Sequence, residues 1–202
     1  SGSTITPLGN GDQITLSGMT ITYLDSIEGT GAAPFSGTIT LSAGQRIRGY
    51  MVSNLLNQGA GNRIYLVRDQ KDKSFAMKVF DKTVTSEESE GFLNEIDSIR
   101  FASVPGIAPY HACGVIHHNC YYVTDYYEHP DLAFRISSKA PMEQREALGI
   151  LRNIAEILRA AYHETGGFHG ALSPSKVLYD SDEKMVLSEY GLFVWKSMVL
   201  NG

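Results

Sequence analysis

Between Ile47 and Phe80 the chain reads as strand, turn, strand, strand: YMVSNLL, the glycine-bearing turn NQGAGN, RIYLVRD and KSFAMKVF. Short apolar-rich runs with β-branched and aromatic residues, joined through a Gly/Asn turn, predict antiparallel strands. The next segment, SEESEGFLNEIDSIRFAS, changes pattern. Phe92, Ile96, Ile99 and Phe101 recur at helical spacing, and acids crowd its start, where the helix dipole favours them. Strand runs that give way to one amphipathic helix predict an α+β chain.

Two more strand-like runs follow VPGIAPYHACG and end before Pro130. A long helix is expected in PMEQREALGILRNIAEILRAAYHETGG, with Leu148, Leu151, Ile154, Ile157 and Leu158 on one face and a glycine pair at its end. The chain closes with FHGALSPSKVLYD, a turn at Ser181 to Lys184, and MVLSEYGLFVW. Residues 1–45 are poor in charge, and their alternating runs QITLSGMTITYL and SGTITLSAG predict short antiparallel strands in an N-terminal β-rich extension. The opening Ser-Gly-Ser reads as an expression scar on a piece of something longer.

With 43% hydrophobic residues over 202 positions, a packed core is expected and global disorder is not. A net charge of -5 offers no general basic surface, so neither nucleic acid nor anionic lipid is an expected partner. Neither a secretory signal nor an apolar run long enough to cross a bilayer is visible, which makes a cytoplasmic location the expectation. Cys113 and Cys120 lack the short C-x2-C grip of zinc sites, and the alternation around them suits a hairpin with His117 and His118 at its turn. No zinc is expected.

In this order, from about Ile47 onward, the elements resemble the protein kinase fold, through five features. LLNQGAGNRIYLVRD resembles the glycine-rich turn, with Asn57, Gly59 and Asn62 on its three glycine positions and Gly61 beside them. FAMKVF resembles the V-A-I-K strand, and seventeen residues after Lys78 stands Glu95, at the position of the helix glutamate that pairs with that lysine. CYYVTDYYEHPDL is similar to the hinge, with Thr124 as gatekeeper, followed by Asp125, Tyr126 and Tyr127. The catalytic loop H-R-D-L-K-P-x-N is matched at His169, Leu172 and Pro174, but Gly170 replaces the Arg, Ala171 the catalytic Asp, Ser173 the Lys and Lys176 the metal-binding Asn. VLSEYGLF resembles the D-F-G segment, leaving Glu189 as a candidate metal ligand before Tyr190 and Gly191. PLGNGDQITLSGMTITYLD, near the start, is similar to the last two strands of a forkhead-associated domain.

The resemblance implies domain limits at 46–128 for an N-lobe with hinge and 129–202 for a partial helical C-lobe, truncated after the D-F-G-like segment. It implies ATP or ADP as ligand, with Mg²⁺ in question, and Gly59, Gly61, Ile64, Ala76, Lys78, Glu95, Thr124, Asp125, Tyr127 and Leu178 as candidate nucleotide contacts. Ile64, Ala76 and Leu178 would sandwich an adenine, and Ile99, Tyr190 and His169 would stack. Phosphoryl transfer needs a carboxylate to orient the hydroxyl and take its proton, and alanine at 171 cannot do this. Three readings stand open. The first is a pseudokinase that binds a protein partner and senses nucleotide. The second is a minimal, non-standard Ser/Thr-type enzyme using Glu189 for metal and Glu128, Asp131 or Asp180 as base, and the third is a structural module with a blocked pocket. Phe193, Trp195, Met198 and Leu200 need cover, which is expected from the C-lobe or from a second copy in a homodimer.

Overall fold

The computed structural model describes residues 13–16, 19–22, 39–59, 61–100, 102–138 and 141–200. The chain divides into two units, Ser1–Phe35 and Ser36–Gly202. In the first, β1 (Gln13–Leu16) and β2 (Met19–Thr22) pair antiparallel, Gln13 opposite Thr22 and Leu16 opposite Met19. The rest of the expected extension up to residue 38, and with it the forkhead-associated likeness beyond this strand pair, lies outside the described residues.

The second unit begins earlier than the sequence suggests. Leu41 is 5% exposed and shares a cluster with Tyr65, whose hydroxyl accepts from the Leu41 amide at 3.1 Å. Residues 39–45 therefore belong with the sheet and not with a separate extension. An apolar side chain in a run of Thr, Ser and Gly is enough to anchor the segment, and composition alone hides it.

Six antiparallel strands form the sheet: β3 (Arg46–Ile47), β4 (Tyr50–Gly59), β5 (Asn62–Arg68), β6 (Ser74–Thr83), β7 (Tyr110–Ile116) and β8 (Asn119–Asp125), in the order β3-β4-β5-β6-β8-β7. Period two sorts β6 onto two faces. Phe75, Met77 and Val79 join Val52, Tyr65, Val67 and Tyr121 in one core, while Phe80 meets Tyr122 and the helix α1 (Ser86–Arg100) on the other face. Lys78, two residues from Phe80, is thereby directed to the helix side.

Helix α1 starts with a reciprocal cap: the Glu88 amide donates to Thr85 Oγ1 at 3.2 Å and the Thr85 amide donates to Glu88 Oε2 at 2.7 Å. It buries Phe92, Ile96 and Ile99, as their spacing predicts. His117 and His118, both at positive φ, close the tight β7–β8 hairpin. Cys120 is buried there as a small apolar residue, and burial pushes its thiol up to about 12.

Past the hinge come α2 (Leu132–Ser138), α3 (Gln144–Thr165), a single 3₁₀ turn at Pro174–Lys176, the hairpin β9 (Val177–Tyr179) and β10 (Met185–Leu187), and α4 (Phe193–Val199). Gly166, in the left-handed region at φ 67, ends α3 with its amide on the Tyr162 carbonyl. The buried stripe of α3 is Ile154 and Ala161 with Ile150, Ile157 and Leu158 half-buried, whereas Leu148 and Leu151 are 58% and 61% exposed. The expected face is thus rotated, because β9 and β10 cover only the Ile154 side. Leu187 fastens this region to the loop before β7, donating to the Gly106 carbonyl at 2.7 Å and accepting from the Ala108 amide at 2.9 Å.

The C-terminal apolar residues find cover in a place the sequence does not indicate. Leu192, Trp195 and Val199 are buried against Phe80 of the sheet and Phe92 of α1, not against the C-lobe, while Met198 remains 71% exposed. Among the described residues no helix is long and apolar enough to cross a membrane.

Candidate active site

Four elements converge on one carboxylate. Glu189, which follows β10, is 6% exposed. Lys78 of β6 pairs with its Oε1, and Lys176 of the 3₁₀ turn donates to the same oxygen at 2.7 Å. Tyr122 of β8 donates its hydroxyl there at 3.2 Å, and Lys196 of α4 donates to Oε2 at 2.6 Å. Lys78 and Tyr122 are cross-strand neighbours, which is why both side chains reach one point. Neither Lys78, Lys176 nor Lys196 has any other ion pair among the described residues.

Three ammonium groups thus share one carboxylate. Burial alone would push the Glu189 carboxyl up, but Lys78, Lys176 and Lys196 together hold it well below the usual carboxylate range. Lys78 moves the other way from a typical paired lysine. Its burial, with Lys176 and Lys196 adding like charge, outweighs the pull of Glu189 and brings it down to about 8.

The backbone here is tightly constrained. Glu189 sits at φ 63, a left-handed conformation that costs a non-glycine residue about 1–3 kcal/mol and persists only where its surroundings hold it. Gly191 has φ +79, and a Cβ there would lie 1.8 Å from Ile99 Cδ1, so conformation and space both demand glycine. At Gly170, with φ +69, a Cβ would come within 2.2 Å of the Phe193 ring, so no side chain fits there while Phe193 holds this position. Tyr190 is buried in a cluster with Ile99, edge-on to His169 at 6.2 Å, and its carbonyl accepts from Tyr110 Oη at 3.1 Å.

Several sequence-derived expectations meet this geometry directly. Lys78 and Glu95 are not paired in this structure. The amide of Trp195 donates to Glu95 Oε1 at 2.7 Å, and Glu95 Oε2 is buried without a partner, so burial pushes the Glu95 carboxyl up. The reason is α4, which stands between α1 and the sheet and brings its own cation, Lys196, to Glu189. Thr124 is buried, and Ile64, Ala76 and Leu178 are half-buried. Asp125 accepts from His111 Nε2 at 3.0 Å and from Lys73 at 3.1 Å, and this holds its carboxyl below the usual range. Burial pushes Tyr127 up. β4 and β5 stay paired out to Gly59 opposite Asn62, with Gly61 at φ +79 in the turn between them.

Ala171 and Ser173 bring no acid or cation to the loop; the Ser173 hydroxyl meets that of Ser175 at 3.0 Å, and its carbonyl accepts from the Lys176 amide at 2.9 Å. Two of the carboxylates weighed as substitute bases are committed elsewhere. Asp131 accepts from the Phe134 amide at the start of α2, and Asp180 accepts from the amides of Asp182 and Lys184 in the β9–β10 turn. Glu128 forms no ion pair among the described residues. A separate cleft of about 480 Å³ between α3 and the β9–β10 hairpin, lined by Arg135, Ile150, Tyr179 and Glu183, shares no residue with the lysine cluster.

The kinase fold implies a divalent metal beside the nucleotide phosphates, and the donor set tests whether one fits. A hard cation requires several oxygen ligands, mostly anionic, around an open position. Here the single carboxylate is already held by three cations, and no cluster of three or more metal-ligating side chains occurs among the described residues. These residues do not fit a metal.

The sheet, the helix α1 and the loop around Glu189 together define a protein kinase-like fold. The chain belongs to the protein kinase domain family, whose profile matches residues 50–195. It is 26% identical over 148 residues to calcium/calmodulin-dependent protein kinase type 1 of Macrobrachium nipponense, covering 71% of this chain and 43% of that one. Against the serine/threonine-protein kinase PknE of Mycobacterium tuberculosis it is 24% identical over 159 residues, covering 77% of this chain and 28% of the relative. Its fold also matches the crystal structure of the Mycobacterium tuberculosis PknI kinase domain, with a TM-score of 0.66 at 23% identity, over 76% of this chain and 63% of that one. The chain spans less than half the length of these curated relatives.

Proposed function

We propose that this chain is a pseudokinase: a kinase-family module that does not transfer phosphate and acts by binding a protein partner, with its nucleotide cleft as a regulatory input. One observation carries the reading. The carboxylate on the metal-binding position, Glu189, has both oxygens held by ammonium groups, one of them from Lys176 on the position of the second metal ligand. With alanine at 171, the loop position that would orient an attacking hydroxyl also carries no carboxylate. The minimal-enzyme reading would need a substitute base, and Asp131 and Asp180 are engaged in a helix start and a turn. Met198 and Val194, exposed on α4, and separately Leu148 and Leu151, exposed on α3, offer apolar surface on which a partner or a second copy would dock.

The test is a phosphotransfer assay with γ-labelled ATP, Mg²⁺ or Mn²⁺, and mixed protein and peptide acceptors, read against Lys78→Ala as background. The expected result is no label on the chain or the acceptors above that background. Label that requires metal and vanishes in Lys78→Ala would overturn the reading.

A further inference from the structure

From the three lysines we infer that this site binds a nucleoside diphosphate or triphosphate without a divalent metal, Lys176 and Lys196 supplying the positive charge that a metal would bring. The inference rests on the pseudokinase reading and extends it to the ligand and to the sign of the metal's effect.

The charge balance motivates it. Lys78, Lys176 and Lys196 all reach Glu189, and no other carboxylate is ion-paired to any of them among the described residues. Two positive charges are therefore uncompensated in a largely buried setting, the formal charge of one divalent cation. Like charges held together at low dielectric repel, so an anion that enters among them gains what the bare protein lacks. Ammonium groups are compact donors suited to phosphate oxygens, and hydrogen bonds between charged partners are the strong ones.

Access and shape favour a nucleotide over a lone anion. The side chains of Lys176 and Lys196 keep 21% of their surface exposed, while Lys78 and Glu189 keep 8% and 4%. The anion thus enters at Lys176 and Lys196 with Lys78 beneath them. Ile64 lies across the strand pair from Lys78, and Ala76 lies opposite Thr124, so apolar, half-buried surface continues from the lysines along β5, β6 and β8. A polyphosphate carrying a flat apolar base matches that sequence of surfaces. Mg²⁺ cancels charge on the polyphosphate and competes with the ammonium groups, so it opposes binding here.

Lys196 has a second consequence because it belongs to α4. When its ammonium turns from Glu189 to a phosphate, α4 loses one of its attachments; the Trp195 amide on Glu95, Trp195 Nε1 on the Glu88 carbonyl and the Val199 carbonyl accepting from Lys82 remain. Ligand occupancy is in this way linked to the helix that displaces Lys78 from Glu95.

The experiment is equilibrium dialysis of ADP with the chain, in EDTA and in excess Mg²⁺, for wild type, Lys196→Gln and Lys176→Gln, with thermal unfolding as an independent readout. Binding in EDTA is expected, weakened by Mg²⁺ and weakened about tenfold or more by either substitution, the loss of one charge-assisted hydrogen bond. ADP should raise the unfolding midpoint of the wild type in EDTA, since a ligand of the folded state stabilises it by mass action. Each substitution removes one of three crowded like charges, so both variants are expected to fold. Inorganic pyrophosphate binding as tightly as ADP would overturn the nucleoside assignment. Affinity unchanged in both variants, or no binding in either buffer, would overturn the site while leaving the absence of phosphotransfer untouched. Binding of ADP that requires Mg²⁺ would overturn the metal-free site, and Mg²⁺-dependent transfer of the γ-phosphate when ATP replaces ADP would overturn the pseudokinase reading as well.

Discussion

Glu189→Gln is expected to destabilise the fold by about 3–5 kcal/mol, the cost of stripping the partner from buried charge. For a domain of this size the thermal midpoint should fall by about 6–20 °C. The substitution leaves three ammonium groups facing a neutral amide, and none of them has an alternative ion pair among the described residues. Glu189 also occupies a left-handed conformation while its carboxylate is held by three ammonium groups and the Tyr122 hydroxyl, so loosening them removes support from a strained backbone. The same site sets a pH dependence. The folded carboxyl lies below its ordinary value of 4.5, so its contribution is fully present above about pH 4.5 and is lost as the pH falls toward the folded value. Urea midpoints between pH 6 and pH 3 should drop for the wild type and drop less for Glu189→Gln. Adding Lys196→Gln to Glu189→Gln should restore part of the loss, a coupling in the range of about 0.5–3 kcal/mol. A stability change below about 1 kcal/mol, with additive effects in the double variant, would show that the lysines do not depend on this carboxylate.

Trp195→Ala is expected to be of similar size, about 3–5 kcal/mol for removing a large buried aromatic side chain. The indole is 2% exposed, 4.8 Å from the Phe92 ring and 5.1 Å from the Phe80 ring, and its Nε1 donates to the Glu88 carbonyl at 2.7 Å. It is the main apolar anchor of α4 on α1 and the sheet. Without it, amide exchange across residues 193–199 should rise by orders of magnitude, while β5 and β8 retain their protection. Glu95 would then lose its bond to the Trp195 amide and become available to Lys78. Unchanged exchange in α4 would mean that Lys196 and Lys82 hold the helix without the indole.

Much of this site is legible in the sequence, because its parts are local patterns. FAMKVF marks Lys78 as the strand lysine, and the losses at Ala171 and Lys176 can be read one residue at a time. What could not be read is the partner of each charge. Lys78 is followed at kinase-like spacing by Glu95, yet its carboxylate is Glu189, because Trp195 takes Glu95 first. Lys196 carries no motif at all, and only the packing of Trp195 and Val199 between α1 and the sheet brings it to Glu189. One signal was available: VWKSMV puts a lone lysine between apolar residues at helical spacing, which is the pattern of a helix carrying a charge along a buried edge. The exposure of Leu148 and Leu151 was hidden for a related reason. An amphipathic face shows which residues want cover, not how much of it the neighbouring hairpin supplies.

The central claim is that lysines hold the position where the family places its metal. Electron paramagnetic resonance of Mn²⁺ with ADP, recorded with and without the chain, measures this directly. No protein-bound Mn²⁺ signal should appear beside those of aquo and ADP-bound Mn²⁺, since the metal gains no ligand from Glu189. A distinct protein-bound Mn²⁺ signal, present in the wild type and abolished in Glu189→Gln, would contradict the account.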